Sequence, residues 1–216
     1  MNCSKRPVQT GLANPEAVVR ALSFVRALAQ RGQSPLHAVL GACVEPKARE
    51  QYPASGINWI RGEGLGFFYH SHGQMGVRAI EHGHFHLFAQ TYGRVDGNGE
   101  RPYAHLIGVD VDATGKPLRL FTTNLWVTGG IWRSAKFVRC AVLRFAALGL
   151  HESAGPERWV GLILSLFPQQ VNEVLRRREQ RIAPWRNECV IQKRLLDRRV
   201  RILSAVPLDF DSEEVS

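Results

Sequence analysis

Histidines are concentrated in one part of this chain. Six of the eight lie between positions 70 and 105, and the densest run is EHGHFHLF, positions 81–88. Because side chains alternate between the two faces of a β-strand, a strand here would separate this run into two sets. One face would carry His82, His84 and His86. The other would carry Glu81, Phe85 and Leu87. Three imidazoles on one face suit a ligand set better than an apolar core.

Two neighbouring segments add histidines to the same region. FFYHSHGQ contains His70 and His72, and YAHLIGV contains His105. A hairpin between the first segment and the histidine strand would place His70 opposite His82, with His72 on the shared face. The position of His105 depends on a strand register that the hydrophobic pattern does not determine.

An imidazole cluster of this kind favours metal binding, because the neutral ring is the commonest protein ligand for zinc, iron, copper and nickel. A catalytic centre typically uses three protein ligands and leaves a position open for water or substrate. We therefore predict a transition metal site, with zinc, iron or copper as the ion. Its ligands would come from His82, His84, His86, His70, His72 and His105. Glu81 would join only if a bulge at Gly83 redirected it. A metal-free polar pocket and incidental surface histidines are the alternatives.

Four other residues are candidates for substrate binding. Arg78 precedes the histidine run and suits an anionic group, although a solvated loop arginine is the commoner case. Tyr69 and Tyr103 neighbour the histidines as candidate proton donors, and core aromatics are the commoner case. Asn124, in the run FTTN, suits either substrate hydrogen bonds or the cap of a helix expected from about Ile131.

The surrounding pattern predicts an α+β fold. Helical spacing of apolar residues covers about 15–28, 35–43, 131–149, 157–167, 168–182 and 187–200. Period-two alternation predicts antiparallel strands near 59–71, 80–90, 103–111 and 117–124. This order predicts a small antiparallel sheet, about 59–124, flanked by N-terminal and C-terminal helices. We expect a single domain over 1–216, with flexible tails at 1–13 and 207–216.

Composition limits the partners. The formal net charge of +9 favours anionic partners without naming one. The basic stretches 175–181 and 192–201 carry interspersed acids and no stacking aromatics, which indicates solvated helix faces and no sequence-specific nucleic-acid binding. The chain shows neither a membrane-length apolar stretch nor an apolar N-terminal signal, so we expect a cytoplasmic protein without a membrane partner.

Two resemblances accompany these motifs. HFH with a later HL is similar, over a few residues, to the zinc-binding strands of α-type carbonic anhydrases, an analogy of geometry that carries no function. EHGHFH, HLIGVDVD and LFTTNLWVTGG resemble an uncharacterised bacterial family, a domain of unknown function, over most of the chain. That second resemblance implies a shared fold and no known activity.

Two functional hypotheses follow. The first is a histidine-rich metal-binding protein, and within it a hydrolytic or oxygen-using metalloenzyme with a small-molecule substrate. The second is a non-enzymatic protein that binds a ligand or anion in a metal-free histidine pocket. The sequence does not decide whether the protein is an enzyme.

Overall fold

The computed structural model describes residues 14–40, 46–72, 81–93, 101–151, 157–185 and 187–209. The helices in these ranges are α1 (Pro15–Ala29), α2 (Pro35–Leu40), α3 (Leu125–Thr128), α4 (Ala135–Gly149), α5 (Glu157–Leu166), α6 (Pro168–Ile182) and α7 (Glu188–Leu195). The strands are β1 (Gln51–Tyr52), β2 (Asn58–Ile60), β3 (Leu65–Ser71), β4 (Gly83–Gln90), β5 (Tyr103–Val111), β6 (Pro117–Thr123) and β7 (Ile202–Pro207). They form one antiparallel sheet, which confirms the predicted α+β class.

The sheet runs in the order β1-β3-β4-β5-β6-β7, and β2 pairs with the same edge of β3 as β1. The prediction of one strand over 59–71 is wrong, because the chain turns between β2 and β3 and the two pair as a hairpin. Gly62 and Gly64 adopt φ values of 81° and 62° in that turn, a conformation that residues with a Cβ seldom take. The strands β4, β5 and β6 lie near the positions predicted for them.

The sheet also extends beyond its predicted C-terminal limit. The last helix, predicted to reach 200, ends at Leu195, and the chain returns as β7 beside β6. Ser204 fixes this edge strand: its Oγ lies 2.6 Å from Thr122 Oγ1 and donates to the Val174 carbonyl at 2.8 Å. Of the predicted tails, 1–13 and 210–216 lie outside the described residues. Pro207 ends β7, and Leu208 is buried.

The segment between β6 and α4 also differs from prediction. The helix expected from about Ile131 begins at Ala135, where the Ser134 side chain accepts a hydrogen bond from the Phe137 amide. A separate short helix, α3, precedes it and is capped by Asn124. This sequence of cap, short turn and second cap fits the hydroxyl- and glycine-rich composition of the segment.

The two faces of the sheet have different side chains. The apolar face packs against α1, α4, α5 and α6 in one hydrophobic core. Its fully buried strand residues include Phe67, Tyr69, Phe85, Leu87, Val109 and Leu120. The opposite face carries the alternate residues of the same strands, where His70 pairs with His84, His84 with Asp110, and Asp110 with Arg119. We call this second surface the histidine face.

A β-bulge brings the last histidine to this face. His86 pairs with Gly108, whereas Phe88 pairs with His105, so β5 contributes one more residue than β4 between these two pairs. An extra residue reverses the alternation that follows it. His105 therefore shares a face with His86, although uninterrupted alternation from Gly108 would place it among the core residues.

Candidate metal centre

Three histidines converge at one end of the histidine face. His70 and His84 are paired across β3 and β4, with ring centroids 5.3 Å apart. His72 follows the end of β3, where its backbone N–H donates to the His82 carbonyl, and its ring lies 4.5 Å from that of His84. Potential ligand atoms of the three side chains all lie within 4.8 Å of one another. All three rings are partly exposed.

Two carboxylates adjoin this histidine triad. Glu81 Oε1 lies 3.0 Å from His72 Nδ1 and 3.7 Å from His84 Nδ1, and Asp110 Oδ1 lies 3.7 Å from His84 Nδ1. Glu81, His84 and Asp110 thus form a second group whose potential ligand atoms lie within 4.8 Å of one another. The prediction that Glu81 faces away is wrong, because β4 starts only at Gly83 and the alternation does not continue through the residues before it.

Arg119 joins the carboxylates from β6. Its Nε donates to Asp110 Oδ2, and a terminal nitrogen lies 4.0 Å from Glu81 Oε2. The nearby His84 imidazole lowers the pKa of Glu81, and His72 and Arg119 act in the same direction against burial. Glu81 is therefore an anionic acceptor at neutral pH. Sequence reasoning missed Arg119, although it alternates with Phe121 on a predicted strand.

Two further histidines, His86 and His105, lie on the histidine face beyond the triad and are largely buried in the protein. We call His70, His84, His86 and His105 the histidine row. The His86 ring lies 4.6 Å from that of His84 and is 5% exposed. Its Nδ1 lies 3.0 Å from His105 Nε2, and His105 Nδ1 lies 3.2 Å from Thr123 Oγ1. Both nitrogens of His105 are therefore engaged within the protein, which fixes the orientation of its ring.

Burial keeps these imidazoles neutral. Burial lowers the pKa of His70 to about 4, and the neighbouring rings of His84 and His72 lower it further. The pKa of His105 falls to about 3, again chiefly through burial, and the pKa values of His84 and His86 are also lowered mainly by burial. Neutral imidazole is the form that binds metal ions, so metal binding would displace no proton from these rings at neutral pH.

His82 lies outside the converging set. Its Nδ1 is 2.7 Å from the hydroxyl of Tyr69, whose ring belongs to the core on the opposite face. The regular alternation that predicted His82 beside His84 ends at Gly83, where a Cβ would collide with the Tyr69 hydroxyl and the His70 carbonyl. The sequence signal for this departure was the glycine itself, which permits close backbone approach within a strand.

The candidate substrate-binding residues occupy separate positions. Tyr69 is fully buried, and burial raises the pKa of its hydroxyl. The Tyr103 hydroxyl donates to the Thr128 carbonyl at 3.4 Å, and its ring contacts Phe88. Arg78 lies outside the described residues.

Asn124 is fully buried, and both ends of its amide are occupied by backbone. Its Oδ1 accepts from the Leu125 amide, and its Nδ2 donates to the carbonyls of Arg194 and Val200 at 2.9 Å and 3.1 Å. The side chain therefore caps α3 and ties β6 to the segment after α7. The sequence offered Asn124 as a cap for a helix from about Ile131, whereas the helix that it caps is α3.

These features define an α+β protein in which one sheet face packs a core and the other carries a histidine and carboxylate cluster able to hold a metal ion. The chain belongs to the family DUF6969, a domain of unknown function, whose model matches residues 15–208. This confirms the resemblance to such a family. Neither the curated proteins nor the solved structures with which we compared the chain contain a match. Among the described residues, no helix combines the length and apolar character needed to cross a membrane.

Proposed function

We propose that this protein binds one transition metal ion through His70, His72 and His84. The observation that carries the proposal is the convergence of these three side chains, with potential ligand atoms within 4.8 Å of one another on neighbouring strands. Nitrogen ligands of this type suit zinc, iron or copper. A zinc ion bound by these three rings would have metal–nitrogen distances of about 2.0–2.1 Å.

Glu81 and Asp110 would support the ligands from the outer side. If His72 donates its Nδ1–H to Glu81, its Nε2 is the atom left to bind metal, and the carboxylate makes that nitrogen more basic. His84 Nδ1 lies farther from the carboxylates, 3.7 Å from both Glu81 Oε1 and Asp110 Oδ1, and would have to approach one of them to gain the same support. In this arrangement His86 and His105 pack behind the triad and restrict the movement of His84. In this proposal His82 hydrogen-bonds with Tyr69 and does not bind the ion.

We further propose that the centre acts on a small molecule. Three protein ligands leave at least one coordination position for water or substrate, and the partial exposure of the triad supports access. An ion placed there would polarise a substrate oxygen, activate water or handle oxygen. Arg119 adds a positive charge beside the carboxylates, and Arg78 remains our candidate for binding an anionic part of the substrate.

A non-enzymatic role in binding a ligand or anion without metal is the second candidate. It is favoured by the contacts that the cluster already makes: His72 with Glu81, and Arg119 with Asp110, satisfy charged groups without an ion. In this case the neutral histidines would donate hydrogen bonds to the ligand. Direct metal titration separates the two candidates.

The test uses the full chain purified without a histidine tag, stripped with a chelator and desalted. We expect calorimetric titration with Zn²⁺ to saturate at one equivalent, and Co²⁺ to give the visible absorption of a nitrogen-ligated site. His70→Ala, His72→Ala and His84→Ala should each abolish stoichiometric binding. His151→Ala is the matched control, because His151 is exposed and distant in sequence from the cluster. Wild-type protein without saturable binding, or a triad variant that binds like the control, would reject the metal site.

A further inference from the structure

A second polar site lies at the other end of the sheet, beyond His105. A cavity there is bounded by the start of β5, the end of β6, the segment after α3, and α6. Its polar lining comprises His105, Thr122, Thr123, Thr128, Trp132, Arg133 and Arg178. The cavity has room for about one water molecule. Ile131, on its wall, is 40% exposed, so the cavity lies close to the protein surface.

The cavity has an excess of positive charge. Arg178 is only 3% exposed, yet its partners are the neutral carbonyl of Arg133, the ring of Trp132 and one carboxylate. That carboxylate, Glu179 Oε1 at 3.0 Å, belongs to a side chain that is 43% exposed. Burial lowers the pKa of Arg178 to about 10, but the guanidinium stays charged at neutral pH. A buried cation with a partly solvated counter-ion is costly.

Arg133 contributes a second donor. Its Nε is buried and has no hydrogen-bond partner among the described residues. A buried charged donor without a partner is costly, so such groups usually face a bound ion or water. Another nitrogen of this guanidinium donates to the Tyr92 carbonyl at 3.4 Å. Arg133 and Arg178 both line the cavity, and the buried Nε of Arg133 is the donor that still lacks an acceptor among the described residues.

Two hydroxyls complete the donor set. Thr123 Oγ1 lies 3.2 Å from His105 Nδ1 and 3.3 Å from Thr128 Oγ1. Each hydroxyl rotates about its Cβ–O bond and can direct its proton into the cavity. We infer that this cavity binds the oxyanion end of a carboxylate or phosphate, with one anionic oxygen held among Arg178, Arg133 and the Thr123 and Thr128 hydroxyls. The site does not depend on the proposed metal.

The experiment measures anion binding to the full chain after chelator treatment and desalting, in a Tris buffer with ionic strength held constant by sodium chloride. Sodium phosphate and sodium acetate are titrated separately by calorimetry. We expect saturable binding of one equivalent. Saturation by acetate alone would identify a carboxylate ligand, and saturation by phosphate alone a phosphate ligand. Absence of saturation with both anions would overturn the inference.

Variants place the binding in the cavity. Thr128→Val keeps the side-chain shape but removes a donor, and Arg178→Met removes the buried charge. Each should weaken binding about tenfold or more, the usual effect of losing a hydrogen bond to a charged group. Arg181→Met, an exposed position on the same helix, and His84→Ala, in the proposed metal site, should leave the affinity unchanged. If Arg178→Met does not fold, Thr128→Val decides. Equal affinity in Thr128→Val and wild type would overturn the inference.

Discussion

The two faces of the sheet are made from alternate residues of the same strands, yet they have opposite physical characters. In β4, Phe85 is fully buried against the helices, while its neighbours His84 and His86 belong to the histidine face. One face removes large apolar side chains from water, which is the main source of stability. The other keeps polar side chains at fixed spacing on a rigid support. We therefore expect substitutions on the apolar face to act mainly on folding stability and substitutions of the triad to act mainly on metal binding.

The largest effect should come from the apolar face. Phe85→Ala removes a fully buried ring that contacts Phe67 and Tyr69, and should lower the free energy of unfolding by about 3–5 kcal/mol. Urea denaturation followed by circular dichroism measures the change. A smaller loss of stability in Phe85→Ala than in His84→Ala, both measured without metal, would contradict the assignment of the core to the apolar face.

Lowering the pH should decrease the free energy of unfolding, because the buried histidines of the histidine row resist protonation in the folded protein. The unfolded chain takes up protons on these rings near pH 6.5, whereas His70 resists protonation until about pH 4 in the folded protein. The folded state is therefore fully stabilised above pH 6.5 and loses stability as the pH falls toward 4. Urea midpoints measured between pH 7.5 and 4.5 should decrease, and His70→Gln should flatten the dependence. A dependence that His70→Gln leaves unchanged would contradict this account.

A smaller effect should come from the packing of the histidine face itself. A Cβ at Gly108 would collide with the ring of Phe121, which contacts the rings of both His84 and His86. Gly108→Ala should cost about 1–3 kcal/mol of stability through overpacking and should also weaken Zn²⁺ binding by moving His84. Calorimetry and urea denaturation of one preparation measure both. Loss of stability with unchanged affinity would show that the ring does not position the ligand.

The smallest effect should come from His82. Its ring hydrogen-bonds with Tyr69 rather than joining the triad, so His82→Ala should cost only about 0.5–1.5 kcal/mol and leave Zn²⁺ binding intact. Zn²⁺ binding should therefore differ between two variants only two residues apart: His82→Ala should bind the ion and His84→Ala should not. Loss of metal in His82→Ala would place this ring back among the ligands.

Much of the histidine face could be predicted from the sequence, because alternation is a local property. The period-two pattern placed His84 and His86 together, and the predicted hairpin brought His70 to the same face. The predicted register was wrong by two residues, because His70 pairs with His84 and not with His82. The same pattern predicted an antiparallel sheet between two sets of helices. These inferences needed only neighbouring residues and the geometry of an extended chain.

The rest of the site and fold could not be predicted, because it depends on departures from regular strand alternation and on long-range strand pairing. The bulge that turns His105 toward His86 is a property of the pairing between β4 and β5, and nothing in YAHLIGV alone marks it. The break at Gly83 reversed the expected positions of Glu81 and His82. The edge strand β7 was missed because it follows a basic helical segment and pairs with β6, distant in sequence. Long-range pairing is not encoded in local periodicity.

X-ray absorption spectroscopy of the zinc-loaded protein tests whether three imidazoles bind one ion. We predict a first shell at about 2.0–2.1 Å with outer-shell scattering from about three imidazole rings. The same measurement on His84→Ala, loaded at an equal zinc-to-protein ratio, should show fewer rings. A shell dominated by oxygen, or a ring count that His84→Ala does not change, would contradict the account.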